Sequence, residues 1–213
     1  MEFAESLIDG ITIRWLKTLA TKNKVYFVTS LYELYEEHFY NTMILVCSDG
    51  STQFYRKRNP TWQENTLWRR SEVPGPGIFD TSLGRIGGII CFDSFSQESF
   101  LGCQKSAVDL VVIIACWGRI QPIPSRLDVS ILVPIMDHWS EIATHSVPEY
   151  YAQKLKVPVV FVNQGGTIPI FGLLPPPYPW KIGKLTYNFA GYSHVRDASW
   201  MILQKTLKSS VNY

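Results

Sequence analysis

GRIGGIICFDSFSQESFLGCQKSAVDLVVIIACWG, residues Gly84–Gly118, is the stretch whose reading decides the fold. Two short apolar runs, Ile86–Cys91 and Leu110–Trp117, flank a polar segment. Each run is too short for an ordinary helix and is rich in β-branched residues, so each reads as a buried strand. The segment between them, Ser94 to Val108, has room for a helix of about three to four turns. The unit is therefore strand–helix–strand, with Cys91 at the carboxyl end of the first strand. Reactive groups in open α/β sheets collect at such ends, because the strand fixes the backbone while the departing loop stays accessible. Free cysteine is also among the most buried residue types. Taken alone, Cys91 reads either as a core thiol or as a nucleophile.

Working outward, 213 residues suit one α/β domain over residues 1–213 with a sizeable core. Hydrophobic residues make up 46% and charged residues 18%, as in globular chains. A net charge of +2, with no long basic run, gives no electrostatic case for nucleic acid. The longest apolar runs are about eight residues, far short of a membrane span. No charged start followed by an apolar stretch marks a signal peptide. Cys47, Cys91, Cys103 and Cys116 lack zinc spacing, so a reduced, cytoplasmic chain is expected. The aromatic content, 14%, is high enough to suggest a pocket or an oligomer surface as well as a core.

In chain order, Ile11, Trp15, Leu16 and Leu19 recur at helical spacing, which predicts an amphipathic helix ending near Thr21–Asn23. Val25–Glu33 reads as a buried strand. Residues 40–57 read as a hairpin closed by Asp49-Gly50. Past Trp117 the chain is proline-broken at Pro122, Pro124 and Pro134, and a helix is expected to start at Pro148, where proline fits a first turn. Val157–Gly166 reads as a strand ending in a glycine turn. Residues 167–186, with PPPYPW, read as a stiff loop, and Phe189–Asp197 as a strand.

Upstream of Cys91 lies YRKRNPTWQENTLW, Tyr55–Trp68. Together with GRIGGIICFD it resembles the nitrilase superfamily, the carbon–nitrogen hydrolases. That family has a lysine in a Y-R-K-like segment and a cysteine in G-x-x-G-x-x-I-C-[YFW]-[DE], and Lys57 and Cys91 match these positions. Pro60–Glu64 resembles the P-T-x-x-E of the nitrilase branch, whereas CFD is closer to the amidase branches. VPVVFVNQGG and FAGYSHVRD are similar to two further family segments, and the resemblance covers about residues 4–198.

The resemblance implies an α/β fold: a nitrilase-like α-β-β-α sandwich of two face-to-face sheets with outer helices. It implies Cys91 as nucleophile, Lys57 as cation and oxyanion donor, and Glu64 as a second active-site carboxylate. Phe92, Trp117 and Asn163 are then expected to border the substrate, and Glu33 to be structural. The substrate would be a small nitrile or linear amide, cleaved through a cysteine thioester. A homo-oligomer is expected, with no nucleic-acid or membrane partner. The family's opening strand–helix–strand segment, which ends in its general-base glutamate, has no counterpart among the first residues. Glu2 and Glu5 do not match it. Impaired turnover is therefore expected, and the alternative is an inactive binding or assembly module.

The residues argue against other chemistries. A papain-like pair needs a cysteine on a helix, and Cys91 ends a strand. His38, His138, His145 and His194 lack metal spacing. GRIGG precedes a strand rather than opening a helix, so it is not a phosphate loop.

Overall fold

The structure is a computed structural model and describes residues 3–62, 64–121, 132–170, 185–190, 193–197, 199 and 202–205. The expected first helix is α1, Ile11–Asn23, ended by Lys24 in the left-handed region. Three antiparallel strands follow: β1 (Phe27–Tyr35), β2 (His38–Val46) and β3 (Thr52–Arg56), in spatial order β1-β2-β3. The Asp49-Gly50 turn joins the last two, with Gly50 at φ +85° and Asp49 accepting bonds from Ser51. β4 (Gly77–Thr81) pairs antiparallel with β5 (Gly84–Ile90).

The strand–helix–strand unit forms as expected. After β5 comes a short 3₁₀ turn, Cys91–Phe95, then α2 (Gln97–Lys105) and β6 (Leu110–Ala115) parallel to β5. Ser96 caps α2 by accepting from the Glu98 N–H, satisfying one of the free donors of the first turn. β7 (Gly118–Gln121), α3 (Leu132–Leu155), β8 (Val159–Asn163), β9 (Gly165–Ile170), β10 (Leu185–Ala190), β11 (His194–Arg196) and β12 (Ile202–Lys205) complete the described elements.

A six-stranded mixed sheet, order β12-β11-β8-β6-β5-β4, faces the β1-β2-β3 sheet. Met43, Leu45 and Tyr55 from one sheet interlock with Phe79, Ile86, Ile90 and Val112 from the other. On the outside of the smaller sheet, Ile13, Leu16 and Ala20 of α1 cover Ile44 and Val46. On the outside of the larger one, Cys103 of α2 and Ala143, Tyr151 and Ala152 of α3 cover Val111, Ile113, Val159 and Phe161. The order of layers is α-β-β-α, and the strands of β5, β6 and β8 are solidly apolar because both faces are covered.

Three expectations need correction. The strand read as buried over Val25–Glu33 is β1, an edge strand that is half-buried to exposed except at Glu33, because its partner β2 takes the central place in the sheet. α3 starts at Leu132, not at Pro148, which lies inside it. Pro148 removes one backbone donor, yet the helix continues because the buried residues on either side, Ala143, Thr144, Tyr151 and Ala152, anchor it to the sheet. The loop read over 167–186 loses both ends to β9 and β10, which with β7 form a third, antiparallel sheet that the reading did not contain. The remaining proline-rich stretches, 122–131 and 171–184, lie outside the described residues, as does Glu2. Among the described residues no helix is long and apolar enough to cross a membrane.

The Gly87-Gly88 pair shows why two glycines precede the cysteine strand. A Cβ on Gly87 would come within 2.8 Å of the Cys103 sulfur, on the helix side. A Cβ on Gly88 would come within 2.5 Å of Phe79 and 2.6 Å of Met43, on the side of the facing sheet. Both faces of β5 are thus packed to the backbone. Gly88→Ala is expected to overpack the inter-sheet core and cost roughly 1–3 kcal/mol. Urea unfolding should show a lower midpoint with an unchanged slope, and an unaltered midpoint would contradict this packing.

Candidate active site

Cys91 is the first residue past β5 and has φ +47°. A non-glycine residue in the left-handed region costs on the order of 1–3 kcal/mol and persists only where its surroundings hold it. Here the holders are visible. Ser94 Oγ donates to the Cys91 carbonyl at 2.7 Å, the Ser96 N–H donates to the Asp93 carbonyl, and Tyr151 of α3 donates to the Ser94 carbonyl. The bend throws the cysteine side chain out of the strand's alternation and leaves its thiol half-buried at the sheet's carboxyl edge.

Lys57 follows β3 and is 1% exposed. Its Nζ donates to both Glu64 oxygens, at 2.8 and 2.6 Å. Glu64 is positioned by a capping box: Thr61 Oγ accepts from the Glu64 N–H while Glu64 accepts from the Thr61 N–H at 2.7 Å. The T-x-x-E spacing therefore has a local cause. It turns one carboxylate back onto the start of its own helical turn, where the same oxygen also meets the buried ammonium.

The Lys57 loop and the Cys91 turn are tied together by Asp93, a fully buried carboxylate that sequence reasoning did not single out. It accepts from Tyr55 Oη at 2.8 Å, the Asn59 N–H at 2.6 Å, Asn59 Nδ2 at 3.0 Å and the Arg58 N–H at 3.4 Å. Burial nevertheless raises its pKa, with these donors pulling the other way. The available signal was its place in CFD, immediately after the cysteine.

Trp117 is buried and its indole Nε1 donates to the Cys91 sulfur at 3.1 Å. Asn163, at the end of β8, holds Trp117 from both sides: its Oδ1 accepts from the Trp117 N–H at 2.8 Å and its Nδ2 donates to the Trp117 carbonyl at 2.9 Å. Asn163 thus acts on the site through Trp117. Phe92 is 42% exposed and tilts against Phe95, which in turn meets Trp117 and Trp139. Tyr32 of β1, another residue the reading passed over, stacks on Trp68 at 4.5 Å. Its phenol pKa is raised by burial and by the nearby Cys116 and Glu64. Glu33 is buried and bonded by Thr42 and Arg56, a structural role. Glu5 is committed to the start of α1, where it accepts from the Thr12 N–H at 2.8 Å.

Electrostatics at Cys91 pull in both directions. The Lys57 cation does favour the Cys91 thiolate, as do the Trp117 indole and the Cys116 backbone N–H. Burial outweighs them, with Glu64 adding to it, and the Cys91 pKa lies above the ordinary thiol value. At neutral pH the resting sulfur is a thiol. Burial likewise raises the other thiols of the region, Cys116 up to about 11 and Cys103 up to about 12. Among the described residues, no cluster of three or more His, Cys, Asp or Glu is placed to hold a metal ion.

Similarity to known proteins agrees with this layout. A nitrilase of Pyrococcus abyssi is 30% identical over 110 residues, which are 52% of this chain and 42% of that protein. A carbon–nitrogen hydrolase structure from Helicobacter pylori superimposes with TM-score 0.71 at 20% identity, over 92% of this chain and 63% of that one. A mutant of an amidase of Nesterenkonia, with the acetamide moiety of fluoroacetamide covalently added at its active-site cysteine, superimposes with TM-score 0.65 at 16% identity. It matches over 92% of this chain and 62% of the amidase. The chain thus spans less than half of the curated nitrilase and less than two thirds of these solved chains. The sequence model of the carbon-nitrogen hydrolase family matches residues 1–206, and the chain belongs to that family.

Proposed function

We propose that this chain carries the nucleophilic half of a hydrolase acting on a small nitrile or linear amide. The observation that carries the reading is the convergence of Cys91, Lys57 and Glu64 at the edge of the larger sheet, with Trp117 on the sulfur. The Cys91 sulfur attacks the nitrile or amide carbon, and its proton goes to Glu64, the carboxylate whose charge already bears on the thiol. The Lys57 ammonium and the Phe92 backbone N–H receive the negative charge that develops on the former carbonyl oxygen or nitrile nitrogen. From an amide, the nitrogen takes the proton back and leaves as ammonia, giving a thioester. From a nitrile, the thioimidate first adds one water and then loses ammonia to give the same thioester. A further water hydrolyses the thioester to the acid and the free thiol. The substrate's organic group meets the aromatic rim of Phe92, Trp117 and Tyr32. No cofactor enters these steps.

The geometry also supports slow turnover. Glu64 is held by both Lys57 bonds and by the Thr61 N–H, so its freedom as a base is limited. This favours the second reading, a family member that binds rather than turns over. The exposed aromatic surface of Phe92, Phe95, Trp139 and Tyr150 suits assembly with another copy of the chain. We place the protein in the cytoplasm on its cysteine usage.

Incubation with a panel of nitriles and linear amides, including fluoroacetamide, followed by ammonia assay and intact mass, tests the proposal. An adduct confined to Cys91 and absent from Cys91→Ser is expected. Undiminished turnover by Cys91→Ser would refute it. Glu64→Gln should lower ammonia release by about 10²–10⁴-fold, the usual contribution of general acid–base catalysis. An adduct that accumulates without ammonia release would establish the binding reading instead.

The thiol's environment fixes the pH dependence. Burial raises the Cys91 pKa, so its alkylation by iodoacetamide should stay slow through neutral pH and climb only above the ordinary thiol range. Lys57 lowers that pKa, so Lys57→Met should move the profile to higher pH. Glu64 raises it, so Glu64→Gln should move the profile to lower pH. Peptide-resolved mass spectrometry across the alkaline range reads these shifts, and coincident profiles for all three proteins would sink the electrostatic account.

A further inference from the structure

Cys91 has a second thiol beside it that the hydrolase reading leaves unused. β5 and β6 are adjacent and parallel, with Ile90 beside Ile114. Cys91 directly follows β5, and Cys116 directly follows β6. Residues one step out of register on neighbouring parallel strands have α-carbons about 6 Å apart, inside the window a disulfide spans. Charge at Cys91 bears on Cys116 across this gap. All four cysteines are free thiols, and Cys116 is the exposed one. Its Sγ donates to Gln164 Oε1 at 3.0 Å, a single bond that a rotation about χ1 releases. Cys47 and Cys103 are buried, Cys103 on the helix side of β5 against Gly87.

We propose that Cys116 is the resolving thiol for an oxidised Cys91, so that a hydroperoxide converts the pair to a reversible disulfide. In the first step the Cys91 thiolate attacks the distal peroxide oxygen. The O–O bond breaks, Cys91 becomes a sulfenic acid, and the alkoxide or hydroxide leaves as an alcohol or water. In the second step the Cys116 sulfur attacks the Cys91 sulfur. The S–S bond forms, the S–O bond breaks, and hydroxide departs with the Cys116 proton as water. The two electrons taken by the peroxide come from the thiol pair.

Lys57 is the cation that bears on both sulfurs, and it lowers the pKa of each. The disulfide spares Cys91 the sulfinic stage, which thiol reductants do not reverse. The inference goes beyond the hydrolase reading and requires no turnover.

The test uses the full chain, hydrogen peroxide, quenching with N-ethylmaleimide and digestion without reductant. A Cys91–Cys116 cross-linked peptide that disappears on treatment with dithiothreitol is expected. In Cys116→Ser, peroxide should give sulfinic and sulfonic acid at Cys91, and dithiothreitol should no longer restore its alkylation. Sulfinic acid at Cys91 of the unmodified chain with Cys116 still alkylated would overturn the proposal. So would a cross-link to Cys47 or Cys103, or a Cys91 that peroxide leaves untouched. A chain that releases no ammonia from any nitrile or amide can still form the cross-link, so the two readings fail separately.

Discussion

Asp93 is the constraint on which the site depends. Its buried carboxylate gathers four donors from the chain leaving β3, and its backbone belongs to the turn that begins at Cys91. Lys57 sits between two of the residues it binds, Tyr55 and Asn59. The relative position of ammonium and thiol is therefore set by hydrogen bonds between two loops that come from different sheets. A carboxylate removed from water with unmet acceptors is costly. Four partners offset much of that cost, and together they hold the Cys91 turn and the Lys57 loop in one arrangement.

A second constraint is the ion pair of Lys57 and Glu64. A fully buried ammonium without a partner costs several kcal/mol, so the pair is needed for the loop to be stable at all. The same pairing damps the field that Lys57 exerts on Cys91. Burial then prevails, and the thiol rests protonated while Trp117, Lys57 and the Cys116 N–H stand ready to stabilise a charged sulfur. Charge at the sulfur is favoured by these contacts and opposed by burial and by Glu64.

These groups can meet because β5 is packed to its backbone on both faces. Gly87 admits α2 and Gly88 admits the facing sheet, which brings the strand carrying Cys91 and the strand leading to Lys57 into one core. Asn163 completes the arrangement from β8, two strands away, by fixing the Trp117 backbone so that its indole reaches the sulfur.

The sequence by itself determined the elements whose causes are local. Apolar β-branched runs defined β5, β6 and β8, helical spacing defined α1, and Asp49-Gly50 closed the β2–β3 turn. The resemblance of the Y-R-K, P-T-x-x-E and cysteine-strand segments to the carbon–nitrogen hydrolases singled out Lys57, Glu64 and Cys91 before any geometry was known. What the tertiary structure decided was everything set by contacts between distant segments. Pro148 lies inside α3 because sheet packing on both sides of it outweighs one lost hydrogen bond. β7 and β10 are short, and their pairing with each other joins segments far apart in the chain. Asp93 looked like any acidic residue after a strand until four donors converged on it. The protonation of Cys91 depends on a balance between burial and three favourable contacts, and no single sequence position records how much water a folded chain removes from a sulfur atom.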